Sequence, residues 1–322
     1  MNEIKQFLTI QEQIELLKSR NLNFCNEEFA QNFLKKENYY NVINAYKNLF
    51  LDKSQNTEIF KSTVSFEEIC ELYIFDRTLR SIFLKYILEI ENHIKSVLAY
   101  DFSSKYGHDN YLKIESFDIT TRIQESKVRK ADKIERTLRT ITILQQEIAR
   151  QLKNNNPMIS HYILKYGYVP FWVLINVLSI GTISKFYNLL KDKDQNSIGR
   201  EFLLKPPEMN SILKILTLYR NACAHDERLF NLKTNVKLND NQIHKNLNIS
   251  KSANNQYING KNDLFALVII CKLMLSADVF PKLINEIKST IEHLEQKIHS
   301  INIHQILKEM GFPLNWINIT NI

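Results

Sequence analysis

Six glycines and six prolines are all the conformational punctuation in a chain of 322 residues. Together they make 12 residues of 322, where average usage would put roughly 40. Glycine supplies left-handed backbone and proline stops helices, so a chain this poor in both makes few sharp turns. Long helices joined by polar loops are the consequence, and no segment shows the strict alternation of a strand. The expected fold class is all-α, in a chain long enough to bury a sizeable core.

The helical pattern can be followed along the sequence. Residues 5–50 read as two or three short helices that end in the aromatic-rich ENYYNVINAYKNLF, and LDKSQNTEIFKSTVS is a polar loop. Ser65 with Glu68 makes a capping box that opens a long helix from about Phe66 to Ser104. Leu79, Phe83, Tyr86, Ile87, Ile90, Ile94 and Val97 hold to one stripe of it. A second helix over 122–153 carries nine Lys and Arg against four Asp and Glu, with an apolar seam. Residues 171–191 read as a helix pair with Gly181 as its break or cap. Pro206 and Pro207 suit the first turn of the next helix. Residues 233–262, dominated by Asn and Lys, read as a long surface excursion. Two closing helices follow, and the tail GFPLNW brings Trp316 onto the body. The domain reading is an N-terminal helical region, 1–65, ahead of a helical domain, 66–322.

The net charge, 42 − 35 = +7, is compatible with an anionic partner without naming one. Cys25, Cys70, Cys223 and Cys271 lie far apart with no C-x-x-C pair, and three of them sit among apolar residues. They suit small buried hydrophobes in a reducing cytosol. The start, MNEIKQFLTIQEQIELL, is amphipathic and unlike a signal peptide. The most apolar run, LFALVIICKLML, holds Lys272 and at about twelve residues falls short of the roughly twenty that span a bilayer. A soluble, cytoplasmic protein is expected.

The stretch that points to chemistry is LYRNACAHDERLFN, residues 218–231. At about 100° per residue, with Ile212 as the origin, Ile215, Leu216, Tyr219 and Cys223 fall on the buried face. Arg220 lies at about 80°, Ala224 at about 120°, Arg228 at about 160°, Asn221 at about 180° and His225 at about 220°. A helix does not need such a polar set to fold; a site that handles phosphate does. A histidine, which titrates near neutral pH, can take the proton of a 2′-hydroxyl or return one to a leaving 5′-oxygen. An arginine offers paired donors to a phosphate as charge develops. That chemistry is RNA cleavage by transesterification, and it requires no metal or other cofactor. On a straight helix Arg220 and His225 stand about 140° apart. Either the helix distorts there, or two copies face each other as a homodimer and contribute a pair each. The spacing R-x4-H alone is weak, since an exposed polar face with one histidine has the same pattern.

Other residues have blander readings beside their functional ones. Asp76 with Arg80 one turn later is best read as a structural pair that fixes helix packing. Glu91 could accept from Arg220 and hold its guanidinium, or be an ordinary surface glutamate. Tyr39, Tyr40 and Tyr46 suit core packing better than base stacking. His93, His161, His293 and His299 have no spacing partner that suggests a metal site. On the basic helix, Lys127, Arg129, Lys130, Lys133 and Arg136 either track RNA phosphates or form a solvated face.

Beyond the bare spacing, YRNACAHDERLFN, with asparagine after the arginine and the AH-x-x-R-L-x-N continuation, resembles the signature of the Abi-like family (AbiD/AbiF type). YYNVINAYKNLF at 39–50 is similar to that family's early aromatic block. FDRTLRSIFLKYILEIENHIKSVLAYDFSSKYG at 75–107 is similar to its long helix, and FWVLINVLSIGTISKFYNLL at 171–190 to its W-x6-SxGTxS-type segment. MGFPLNW resembles the family's tail. The resemblance, over residues 5 to about 316, implies a bacterial abortive-infection protein of the HEPN ribonuclease superfamily, with a HEPN-type helical bundle and added helices. It implies a role in phage defence or as a toxin, and metal-independent endoribonuclease activity with Arg220 and His225 catalytic, across two HEPN units. Asn221, Arg228 and Glu91 would support the site. The basic helix and the Asn/Lys-rich excursion depart from the family pattern, and both leave the target RNA open. The alternative is a scaffold or sensor that binds a structured non-coding RNA without cleaving it, for which His225 would be dispensable.

Overall fold

Regular structure among the described residues is helical, and β pairing is confined to three isolated bridges. The computed structural model describes residues 6–120 and 127–322, the side chains of 127–129 excepted. In chain order the α-helices are α1 (Ile10–Ser19), α2 (Glu27–Glu37), α3 (Phe66–Tyr106), α4 (Lys127–Lys153) and α5 (Pro157–Tyr166). After them come α6 (Phe171–Leu174), α7 (Ile180–Leu189), α8 (Asp192–Glu201) and α9 (Pro206–Ala224). The last four are α10 (Gln242–Asn246), α11 (Leu264–Met274), α12 (Phe280–Glu295) and α13 (Ile303–Glu309).

The 41-residue α3 is the spine. Ser65 and Glu68 cap it reciprocally, as the sequence predicts, and Gly107 at φ 84° ends it, because a left-handed residue there terminates the helical ladder. Glu68 does more than cap: its Oε1 accepts the His299 and Ser300 amides at 2.6 and 2.7 Å, pinning the chain after α12 to the start of the spine. α3 buries residues around most of its circumference because α8, α9, α11 and α12 pack on it from several sides. α11 is buried without a break from Leu264 to Cys271. Trp316 is buried against Phe312, ring centroids 5.1 Å apart, so the tail docks as expected. Cys70, Cys223 and Cys271 are buried free thiols, and Cys25 is an exposed one.

Two local expectations need correction. The break in 171–191 does not fall at Gly181. The chain leaves the helix at Leu178, and Ser179 caps α7 by accepting the Thr182 amide at 3.2 Å. Gly181 sits in the first turn of α7, where an added Cβ would lie 3.3 Å from Thr217 of α9, so its lack of a side chain serves close packing of α7 on α9. Nor is 233–262 merely a surface excursion. It buries Leu238, Ile243, His244, Leu247 and Tyr257, with the His244 ring stacked on Tyr257 at 4.8 Å and its Nε2 2.9 Å from the Gly260 carbonyl. Its apolar residues follow neither helical nor strand spacing, and asparagines at positive φ (Asn248, Asn255) make its turns, so periodicity could not reveal it.

Candidate active site

α9 starts at Pro206 and buries Ile212, Ile215, Leu216, Tyr219 and Cys223, the face assigned from the sequence, against α3, α7 and α11. The polar set does not stay on one helix. α9 stops at Ala224, His225 is its C-cap at φ −105° and ψ 16°, and Asp226 follows in the left-handed region at φ 57°. The Glu227 amide donates back to the Ala222 carbonyl at 3.1 Å, closing the helix end. Arg228 therefore lies past the helix. Its Nη1 donates to the backbone carbonyl of Ala45, so it ties this segment to the aromatic block at 39–50 and does not join the polar face.

No glycine or proline lies within 218–231 to end this helix; the cause comes from α3. Asp76, fully buried at 0% exposure, accepts the Phe230 amide at 2.6 Å and the Leu229 amide at 3.0 Å. It also accepts the Tyr46 hydroxyl at 2.6 Å and Arg80 Nη1 at 2.7 Å. Arg80 then donates through Nη2 to Asp226 Oδ1 at 2.5 Å and through Nη1 to the Glu227 carbonyl at 3.2 Å. A non-glycine residue in left-handed backbone costs about 1–2 kcal/mol, and Arg80 holds Asp226 there. Desolvation pushes the Asp76 carboxyl above its ordinary value, while the Tyr46 hydroxyl, the Leu229 amide and Arg80 pull it back. For Arg80 desolvation opposes the charge, but Asp76, Tyr46 and Asp226 outweigh it and raise its pKa. The structural reading of Asp76 with Arg80 stands, with one addition: the pair anchors the segment that carries His225. Tyr46 is a core residue, as expected, whose hydroxyl completes the anchor.

On this frame Arg220 is half-buried and lies about a turn before the exposed His225, with exposed Asn221 and Ala224 between them. Arg220 Nε is enclosed without a hydrogen-bond partner, and among the described residues the side chain has no ion pair. The nearby Arg80 is differently placed, because it is shared between two carboxylates, Asp76 and Asp226. Cys223 is not a competing nucleophile, because burial pushes its thiol up to about 12. The arrangement offers an uncommitted guanidinium and an open imidazole to an anionic ligand.

The blocks that build this frame are far apart in sequence: Ala45 and Tyr46, then Asp76 and Arg80 on α3, then α7 against α9, then 226–230. A family model for Abi-like proteins spans all of them, matching residues 32–231. The chain belongs to the Abi-like family. Curated proteins and solved structures give no match. Membership points to abortive infection, the defence of bacteria against phage. In this Abi-like protein the match ends at Asn231, the last residue of the motif, while beyond it α11 still packs on α3 and α9 and α12 on α3.

The other candidate residues match expectation only in part. Glu91 does not reach Arg220; it is buried and pairs with Lys95 at 2.7 Å, one turn along α3. α9 runs antiparallel to α3, so the stretch of α3 facing the C-terminal end of α9 is that of Asp76 and Arg80, several turns from Glu91. Lys133 is engaged by Asp118 at 3.5 Å and by the Thr120 carbonyl at 3.0 Å, while Lys130 and Arg136 are exposed. The side chains of Lys127 and Arg129 lie outside the described residues. Tyr39 packs partly on the core and Tyr40 is 70% exposed. His93 packs on Phe202, His161 on Tyr162 and Tyr166, and His293 and His299 are exposed. Among the described residues no three His, Cys, Asp or Glu cluster to hold a metal, and no helix is long and apolar enough to cross a membrane. The residue that sequence reasoning passes over is Asp226. Its only signal is an acidic residue next to the histidine with a buried arginine free to meet it.

Proposed function

We propose that this Abi-like protein is a HEPN-type endoribonuclease that acts in phage defence or as a toxin by cutting RNA through attack of the 2′-hydroxyl. The observation that supports it is Arg220, partnerless among the described residues and about a turn from an exposed His225 whose backbone is held by Asp76, Arg80 and Asp226. His225 takes the proton of the 2′-hydroxyl, the 2′-oxygen bonds to phosphorus as the bond to the 5′-oxygen breaks, and the imidazolium returns a proton to that leaving oxygen. Arg220 stabilises the extra charge on the phosphoryl oxygens. Asn221 supplies an amide beside them. The chemistry needs no metal or cofactor. The products are a 2′,3′-cyclic phosphate and a 5′-hydroxyl, so an RNA carrying 2′-deoxyribose at the scissile position should resist cleavage. Products with 5′-phosphate ends would identify water as the nucleophile and overturn this mechanism. RNA that binds the purified protein, yet is left intact by it and by an alanine variant of His225 alike, would instead favour a non-cleaving RNA scaffold.

The active form is proposed to be a homodimer. Each chain has one R-x4-H, and Asn221, Ala224 and His225 are exposed, with the small Ala224 allowing a second backbone to approach. A two-fold contact between equivalent segments would bring both pairs to one phosphate. Mixing an Arg220→Ala chain with a His225→Ala chain should then restore cleavage that neither has alone. Full activity from a species that light scattering shows to be monomeric would refute the dimer.

A further inference from the structure

α4, α7 and α9 enclose an open groove of about 1050 Å³ that ends near the motif. Its α9 wall is Lys214, Thr217 and Leu218. Asn221 is one turn beyond Leu218 and His225 one turn beyond Asn221, so all of them lie along one face of the helix. Arg136 of α4, Lys185 of α7 and Lys214 of α9 stand exposed on its rim, and among the described residues none has an ion pair. The rim's one acidic residue, Glu135, is paired with the rim's Arg139 at 2.6 Å. The rim therefore carries three uncompensated positive charges from three different helices. The floor is apolar, with Leu138 46% and Leu218 36% exposed.

We infer that this groove seats the single RNA strand leading to the cleavage site, with phosphates on Arg136, Lys185 and Lys214 and bases over the leucine floor. The inference rests on the ribonuclease reading for the identity of its ligand. It moves the RNA contacts from the basic helix alone to a groove shared by three helices. The occupant is an RNA strand and not a neutral helix, because a purely apolar partner would leave the three cations unpaired at its edge. The groove is also continuous with the face that carries His225.

The test is RNA binding by the full chain with His225→Ala, so that cleavage does not interfere. A fluorescein-labelled 20-nucleotide single-stranded RNA is titrated at several KCl concentrations. Removing the rim by Arg136→Ala, Lys185→Ala and Lys214→Ala should weaken binding by tenfold or more at physiological salt. It should also flatten the log–log salt dependence by about 2, since each single-strand phosphate contact contributes about 0.7. A control loses the same charge elsewhere, by Lys35→Ala, Lys297→Ala and Lys308→Ala, all exposed, and should keep the parental slope. All six substitutions are on the surface, so folding is retained. Equal binding by rim and control variants overturns the groove. Cleavage with cyclic-phosphate ends by the wild-type chain is scored separately. It can succeed while the groove fails, or fail while the groove holds as a binding site.

Discussion

Alanine in place of His225 should lower RNA cleavage by about 10²- to 10⁴-fold, the usual contribution of a positioned acid–base group, and leave the melting temperature unchanged. The imidazole is exposed, and among the described residues its ring makes no hydrogen bond, so its loss removes chemistry without removing packing. Surface changes of that kind typically cost within about 0.5 kcal/mol. Arg220→Ala should cut activity by about 10²- to 10³-fold, the range for a lost donor to developing negative charge. Arg220→Lys should recover little, because an ammonium lacks the planar fork that meets two phosphoryl oxygens at once. In cells both alanine variants should abolish any growth arrest. Full cleavage by His225→Ala would end the acid–base role of His225.

Asp76→Ala should be among the most destabilising single substitutions in the protein, by roughly 3–5 kcal/mol in chemical denaturation, since it removes the buried partner of Arg80 and leaves only the exposed Asp226 as its counter-charge. It also strands the Leu229 and Phe230 amides and the Tyr46 hydroxyl, all of which now donate to this one carboxylate. Two comparisons separate anchoring from packing. A double replacement, Asp76→Leu with Arg80→Met, should be less damaging than Asp76→Ala alone, because no buried charge remains unpaired. It should still be inactive, because nothing then holds Asp226 in its left-handed conformation. Asp226→Ala should cost less stability than Asp76→Ala, since its side chain is 58% exposed and Arg80 keeps the buried Asp76 as its counter-charge. It should nevertheless reduce activity by loosening the backbone next to His225. An Asp76→Ala protein within about 1 kcal/mol of wild type would show that the cluster is incidental to the fold.

Much of this protein is written locally. Scarcity of glycine and proline was enough to specify an all-helical chain, and the Ser65–Glu68 capping box marked the start of the spine to the residue. Pro206 likewise marked the start of α9, and 3.6-residue periodicity assigned its buried face through Cys223. These features are legible because a helix start and a helix face depend on residues within a turn or two of each other. The end of α9 is not of that kind. Continuing the period past Ala224 puts Arg228 on a helical face, whereas the chain turns at Asp226 because Arg80, 146 positions earlier, captures its carboxylate. Stripe position alone leaves Glu91 open between a partner of Arg220 and a surface glutamate, and it is neither. The choice between Arg220 and Lys95 depends on the register of α9 against α3, which two separate periodic patterns do not contain. The same holds for the groove, whose three unpaired cations come from three helices and become neighbours only when α4, α7 and α9 pack. Sequence determined which segments coil and brought Arg220, Asn221 and His225 together in one motif. Tertiary structure decided where the helix stops, and hence where His225 stands relative to Arg220, because that depends on one buried carboxylate accepting backbone amides from 153 and 154 positions further along the chain.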